Sequence, residues 1–310
     1  LGRPSGITLR KVWAIERGWL EGSPSPDGRY HSFHDPATGD LALRDLVTGK
    51  IRRLTNKGTW EESRESAGAS VISGDGKQIA YAWYNKEKFY ELRVSGIDGS
   101  NPRTVYRDKE FGSYLEPCQW TPDGTQIIAL LMKSNVKGKK EWKFALIPAA
   151  GGPACDLKIP AKRAWHPSLS PDGRFLVYGA WEGDKSDIFL LPLDGGQEIP
   201  LVRSPAEDVN PVWMPAGNKV LFVSDRTGTR GFWAIDVVEG KPRGVPQLIK
   251  DGVTGVGVPI HPNGFTRRGD FYFSTNTGIQ DVYVTELDPV EGRMLRQPAA
   301  IAPRLVRSNS

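Results

Sequence analysis

Four histidines are the side chains best suited to acid–base or metal chemistry: His31, His34, His166 and His261. His31 and His34 stand three residues apart, which on a strand turns them to opposite faces. His166 and His261 are far apart in sequence, so only the fold can bring them together. Across a shared channel they would form the start of a convergent cluster; otherwise they are two unrelated polar residues. No run has the ligand spacing of a zinc site, and Cys118 and Cys155 do not supply one. Neither a metal nor any other cofactor is expected. No Gly-x-Ser-x-Gly elbow occurs, so the nucleophile turn of an α/β-hydrolase is missing and peptidase chemistry is not expected. Glu182, Asp184 and Asp187 crowd one loop without matching a calcium-loop pattern. Lys133, Lys137, Lys139, Lys140 and Lys143 would suit an anionic partner, but without interleaved aromatics they read as a solvated face.

A second set of residues suits recognition better than catalysis. Trp60, Glu62 and Arg64 form one group, Tyr114 and Glu116 another, and Arg163, Trp165 and His166 a third; Asp208 with Asn210, and His261, complete the set. Each lies between β-rich runs, where binding residues concentrate on a rigid scaffold. Aromatic residues beside Arg are common interface anchors. Trp60 and Trp165 are equally suited to capping the ends of a core.

The elements that must position these residues come from a repeat. A Ser-Pro-Asp-Gly phrase appears as Ser25-Pro26-Asp27-Gly28, Ser73-Gly74-Asp75-Gly76, Thr121-Pro122-Asp123-Gly124 and Ser170-Pro171-Asp172-Gly173. Met214-Pro215-Ala216-Gly217 is a decayed copy, and His261-Pro262-Asn263-Gly264 reads as a sixth with a short insertion before its strand. Pro presets one turn angle, Asp bonds its own backbone, and Gly accepts positive φ. A strand precedes each turn and three follow, giving four-stranded units of roughly 44–50 residues. Many strands are apolar on both faces, as sheets sandwiched between neighbours require.

The expected fold is therefore all-β: one domain, a six-bladed β-propeller of four-stranded antiparallel blades. The blades fall near 21–55, 69–107, 117–159, 167–203, 210–250 and 258–288. Residues 8–13 look like an outermost strand without a blade and are expected to close the ring, leaving 289–310 as a tail. Arg304–Arg307 resembles the same strand, so C-terminal closure and a larger ring stay open. The recognition residues then occupy loops around the channel mouth. Cys118 on an inner strand and Cys155 on the outermost strand of one blade are too distant for a disulfide, so both are expected free.

Ser168–Tyr178, with Ser170-Pro171-Asp172-Gly173 followed by Arg174-Phe175-Leu176-Val177-Tyr178, resembles the Pro-Asp-type, WD-like propeller repeats of the TolB family. The likeness extends over roughly residues 21–288. It implies the fold and an extracytoplasmic bacterial location. It also implies kinship with the propeller domain of dipeptidyl peptidase IV-like proteins and with some carbohydrate lyases. In that family the repeat Asp is structural, so Asp27, Asp75, Asp123 and Asp172 carry no catalytic expectation.

Bulk properties agree with a soluble scaffold. The 310 residues are 38% hydrophobic and 25% charged, a globular balance. A net charge of +5 is too slight to argue for nucleic acid. No run of apolar residues is long enough for a transmembrane helix. The chain opens at Leu1, as a processed or trimmed product does. The expected activity is non-catalytic binding of a protein or peptide partner. A polysaccharide lyase or hydrolase with its site in the channel, and a sensory or regulatory domain of a larger protein, are the alternatives.

Overall fold

The computed structural model describes residues 9–15, 22–109, 113–134, 140–157, 163–183, 185–254, 258–276 and 280–286. Among them every regular element is a strand, and no helix is long and apolar enough to cross a membrane. The described strands fall into six antiparallel sheets, paired in chain order except that β1 joins the last. The first holds β2 (Tyr30–His34), β3 (Leu41–Asp45) and β4 (Ile51–Arg53). The second runs from β5 (Ser66–Ile72) through β6 (Gln78–Tyr84) and β7 (Tyr90–Gly96) to β8 (Arg103–Arg107). In the third, β9 (Tyr114–Trp120) lies beside β10 (Gln126–Ser134), which pairs with β11 (Lys140–Pro148) and then β12 (Cys155–Leu157). The fourth is β13 (Arg163–Leu169) to β16 (Ile199–Val202), and the fifth β17 (Asp208–Trp213) to β20 (Lys241–Thr254). The sixth contains β21 (Ile260–Phe265), β22 (Asp270–Asn276), β23 (Gln280–Glu286) and, on its outer edge, β1 (Arg10–Ile15). β1 pairs antiparallel with β23, Arg10 opposite Val284 and Ile15 opposite Gln280. Residues 304–307 lie outside the described residues.

The repeated turns form as their chemistry dictates. In the first, Gly28 N–H donates to the Ser25 carbonyl at 2.8 Å, and Asp27 Oδ1 accepts from Ser25 Oγ at 2.5 Å and Arg29 N at 3.0 Å. Asp75, Asp123 and Asp172 accept the same pair of bonds. Those donors hold the four carboxyls below the usual range, most directly the Ser or Thr hydroxyl for Asp27, Asp75 and Asp123. Gly76, Gly173 and Gly217 sit at φ of 77°, 74° and 74°, packed on Pro26, Pro122 and Pro171 of other turns. The sixth turn departs from expectation. It is Thr266-Arg267-Arg268-Gly269, with Gly269 N–H donating to the Thr266 carbonyl at 3.1 Å. His261–Gly264 lies inside β21 instead. Thr266 and Asp270 supply the side-chain bonds there, so the Pro-Asp pair is not needed.

Apolar clusters fill the space between successive sheets. Leu41, Leu43, Ile79 and Tyr81 join the first two; Leu92, Val94, Ile127 and Leu131 the next. The series continues to Phe232, Phe271 and Phe273 between the fifth and sixth. Trp13, Phe33, Ala42 and Tyr272 then join the sixth to the first. Side-chain bonds between inner segments follow the same circuit. Ser23 Oγ accepts from Ile72 N at 2.8 Å, and Trp120 Nε1 donates to the Val71 carbonyl at 3.0 Å. Gln119 exchanges bonds with Leu169, Ser168 Oγ accepts from Trp213 N at 3.1 Å, and Asn210 Nδ2 donates to the Ile260 carbonyl at 2.6 Å. Asn263 Nδ2 donates to the Gly22 carbonyl at 3.1 Å. Sheets stacked face to face around their inner strands, as in a β-propeller, leave a shared channel between them.

Candidate functional site

The inner strands of the sheets border one cavity of ≈ 540 Å³. Pro26, Pro122, Pro171 and Pro215 of the turns line one end, with Gly74 and Arg267. Tyr114, Glu116, Trp165, His166 and His261 line the other part, so five of the candidate residues meet at one channel. They do not lie on loops, as the sequence reading placed them. Tyr114 and Glu116 belong to β9, Arg163, Trp165 and His166 to β13, Asp208 and Asn210 to β17, and His261 to β21. Proline follows Glu116, His166, Asn210 and His261. On an innermost strand one edge has no partner, so a residue without N–H is tolerated there, and bulges absorb it. The register indeed shifts between Trp165 and Ser168 and between Val209 and Val212. His166 and Asn210 take the positive φ of those bulges, 48° and 54°.

The remaining candidates do other work. Trp60 Nε1 donates to the Pro36 carbonyl at 3.3 Å, and Lys57 Nζ lies 4.0 Å from its ring, so Trp60 covers the end of the first sheet. Glu62 is exposed and accepts from Thr59 N at 2.7 Å; Arg64 is exposed. Asp208 is fully buried, paired with Arg226 at 2.6 Å and accepting from Ser204 Oγ at 2.7 Å. Arg163 is exposed, its guanidinium 5.4 Å from the Trp165 ring centre.

At the aromatic end the rings form a continuous series. Tyr84 meets Tyr90 at 5.1 Å between centres, Tyr90 meets Tyr114 at 6.3 Å, and Tyr114 meets Trp142 at 6.1 Å and Trp165 at 6.2 Å. Trp142 and Trp165 are 4.5 Å apart, Trp165 and His166 6.2 Å, and His166 and His261 5.5 Å. Tyr84, Tyr90 and Trp142 were not singled out from the sequence. Their signal is position: Tyr84 and Tyr90 flank the β6–β7 loop and Trp142 lies near the start of β11, at the strand ends opposite the Pro-Asp-Gly turns.

The two channel histidines do converge, as one expectation had it. Burial lowers His166 to a pKa of about 4, and burial, then His166, then Arg230 lower His261 to about 3. Both are neutral at pH 7. Burial pushes the Glu116 carboxyl up, opposed by the Tyr114 hydroxyl, which donates to Glu116 Oε2 at 2.8 Å. Cys118 lies on the same strand face, and burial followed by the Glu116 charge raises its thiol well above the ordinary value. Cys118 and Cys155 are both free. Among the described residues no three His, Cys, Asp or Glu gather as a metal site would require. Lys133 and Lys143 of the basic run pair with Glu141 and Asp156, each at 3.1 Å, while Lys137 and Lys139 lie outside the described residues. Asp184 of the acidic loop also lies outside them.

Residues 73–250 match the family described as the TolB beta propeller domain. The Tol-Pal system protein TolB of Bordetella pertussis is 28% identical over 239 residues, 73% of this chain and 49% of that protein. The chain thus spans about half the length of the curated relatives it matches. The crystal structure of TolB from Acinetobacter baumannii aligns with a TM-score of 0.56 at 14% identity, covering 89% of this chain and 67% of that one. An oligogalacturonate lyase in complex with manganese aligns at 0.61 and 14%, covering 86% and 76%. These structural likenesses, at such identities, speak for the fold alone.

Proposed function

The chain belongs to the TolB β-propeller family, and from that premise we propose that it is a non-catalytic scaffold binding a protein or peptide at the aromatic end of its channel. In this reading residues 1–310 form one domain of six blades. β1 adds the outer strand of the last blade and so closes the ring. The location is extracytoplasmic, in keeping with the likeness to a Tol-Pal system protein. Tyr114, Glu116, Trp165, His166 and His261 touch the partner, joined by Trp142, Tyr90 and Tyr84.

The observation that carries this reading is the ring series running from Tyr84 to His261 beside a cavity of ≈ 540 Å³. Rigid aromatic side chains lose little entropy on binding and present large apolar faces, so they anchor interfaces well. Their support is stiff, because the inner strands are bonded sheet to sheet. A peptide array would identify binders, and fluorescence anisotropy would measure them. Trp165→Ala should weaken binding at least tenfold, whereas Lys77→Ala beside the opposite turns should leave it unchanged. Equal effects of the two substitutions would overturn the reading.

The approach of His166 to His261 favours a carbohydrate-directed alternative, a lyase or hydrolase in the channel. With pKa values of about 4 and 3 these imidazoles are neutral but weak bases, so this reading rests on their approach alone. Oligogalacturonate incubated with the protein would develop the absorbance of an unsaturated product if this second reading held, and His166→Ala would abolish it.

A further inference from the structure

Of the described residues bordering the cavity, Glu116 alone carries a carboxylate, and Arg267 at the far end alone a guanidinium. Glu116 has no ion pair among the described residues; its carboxylate accepts only from the Tyr114 hydroxyl. Beside it stand three rings at steep mutual angles: Tyr114 and Trp142 at 66°, Tyr114 and Trp165 at 61°, Trp142 and Trp165 at 50°. Glu116 shares the strand face of Tyr114 and Cys118, the face that packs toward Trp142 and Trp165.

A half-buried carboxylate and electron-rich ring faces attract the same kind of group. The carboxylate offers a charge-assisted hydrogen bond in a poorly hydrated place, and the rings offer their quadrupoles. Trp165 already holds one cation, Arg163, over its ring from the exposed side. Neutral ligands would gain from the rings but would leave the carboxylate desolvated for nothing. Anions would be repelled by it.

We propose that the corner formed by Glu116, Tyr114 and Trp165 takes a single alkylammonium or guanidinium group, a Lys or Arg side chain or the amino terminus of the docked partner. This rests on the channel-mouth reading and specifies the partner's anchor. Burial raises the Glu116 carboxyl, and an arriving cation would favour its ionised form, as a neutral ligand would not.

N-acetyl-lysine amide and N-acetyl-arginine amide are the probes, with N-acetyl-norleucine amide as the neutral match in size and butylammonium as a cation without peptide groups. Tryptophan fluorescence and calorimetry read their binding. The two cationic amides should bind at least about tenfold tighter than the norleucine amide. Glu116→Gln, which keeps shape and removes charge, should erase that preference. Butylammonium binding with the same dependence on Glu116 would assign the recognition to the cation itself; a cationic amide that alone responds would assign it to a cation presented on a peptide. Norleucine amide binding as well as lysine amide would overturn the proposal, and this comparison needs no variant. A preference that survives Glu116→Gln would overturn it as well. If an array-selected peptide loses affinity on Trp165→Ala but not on Glu116→Gln, the cation subsite fails while the channel-mouth reading stands. If neither substitution matters, both fail.

Discussion

Acid should loosen the protein first at the junction of the first and sixth sheets. His31 is fully buried there, its ring centre 6.0 Å from Trp13 of β1 and 6.1 Å from Tyr272 of β22. Nδ1 lies 2.7 Å from the Ser32 carbonyl, while Nε2 is buried with no hydrogen-bond partner among the described residues. A proton on Nε2 would place a charge among apolar rings. Burial accordingly lowers the pKa from 6.5 to about 4. Above pH 6.5 both folded and unfolded chains are neutral at this site. Between pH 6.5 and 4 the unfolded chain binds the proton and the folded one does not, so stability falls as pH falls. The full difference is about 3 kcal/mol, at 1.36 kcal/mol per pKa unit. His166 and His261 have the same sign, so a single-site comparison is needed. His31→Phe keeps the bulk and removes the titration. Denaturant unfolding at several pH values from 7.5 to 4 should show wild type losing about 3 kcal/mol more than this variant. Hydrogen exchange should show β1 and β2 amides opening before those of β10 and β11. Parallel pH profiles for the two proteins, or uniform opening of all sheets, would refute the reasoning.

Other substitutions test the frame independently of binding. Gly173→Ala places a side chain at φ 74° with only ordinary contact to Pro122, and should cost about 1 kcal/mol in thermal unfolding. Gly240→Ala, whose Cβ would stand 2.4 Å from the Phe175 ring, should cost distinctly more in the same assay. Asp208→Ala leaves the Arg226 guanidinium without its buried partner and should destabilise by about 3 kcal/mol without weakening per-molecule affinity at the channel mouth. A thiol reagent at pH 8 should label exposed Cys155 quickly and Cys118 slowly, because burial and Glu116 suppress its thiolate.

The repeat was legible because its turn chemistry is local. Asp172 bonds residues two positions away, so the phrase forms wherever it is written. The sixth turn escaped for the same reason in reverse: Thr266 and Asp270 achieve the geometry with different residues, while His261-Pro262-Asn263-Gly264 imitates the phrase inside a strand. The site was half legible. Type and spacing drew attention to Tyr114, Glu116, Trp165, His166 and His261. Their place between β-rich runs argued for loops, but they lie on inner strands, where a bulge on the unpaired edge accommodates the following proline. Trp142 was invisible because its role depends on meeting β9 and β13, which no local pattern encodes.

The inner strands mix two kinds of polar or aromatic residue that a sequence cannot separate. Ser23, Gln119, Trp120, Ser168, Asn210 and Asn263 spend their hydrogen bonds on neighbouring sheets. Tyr114 and Trp165 point their chemistry into the channel and to one another. Asn210 and His166 make the division plain. Both precede proline, both take positive φ at a bulge, yet one ties β17 to β21 while the other faces His261. Bulge geometry is therefore common property of the scaffold, and the identity of the residue placed on it decides between frame and site. If the rim residues bind the partner as proposed, exchanging them while the bonded circuit beneath is kept should alter recognition without altering the frame.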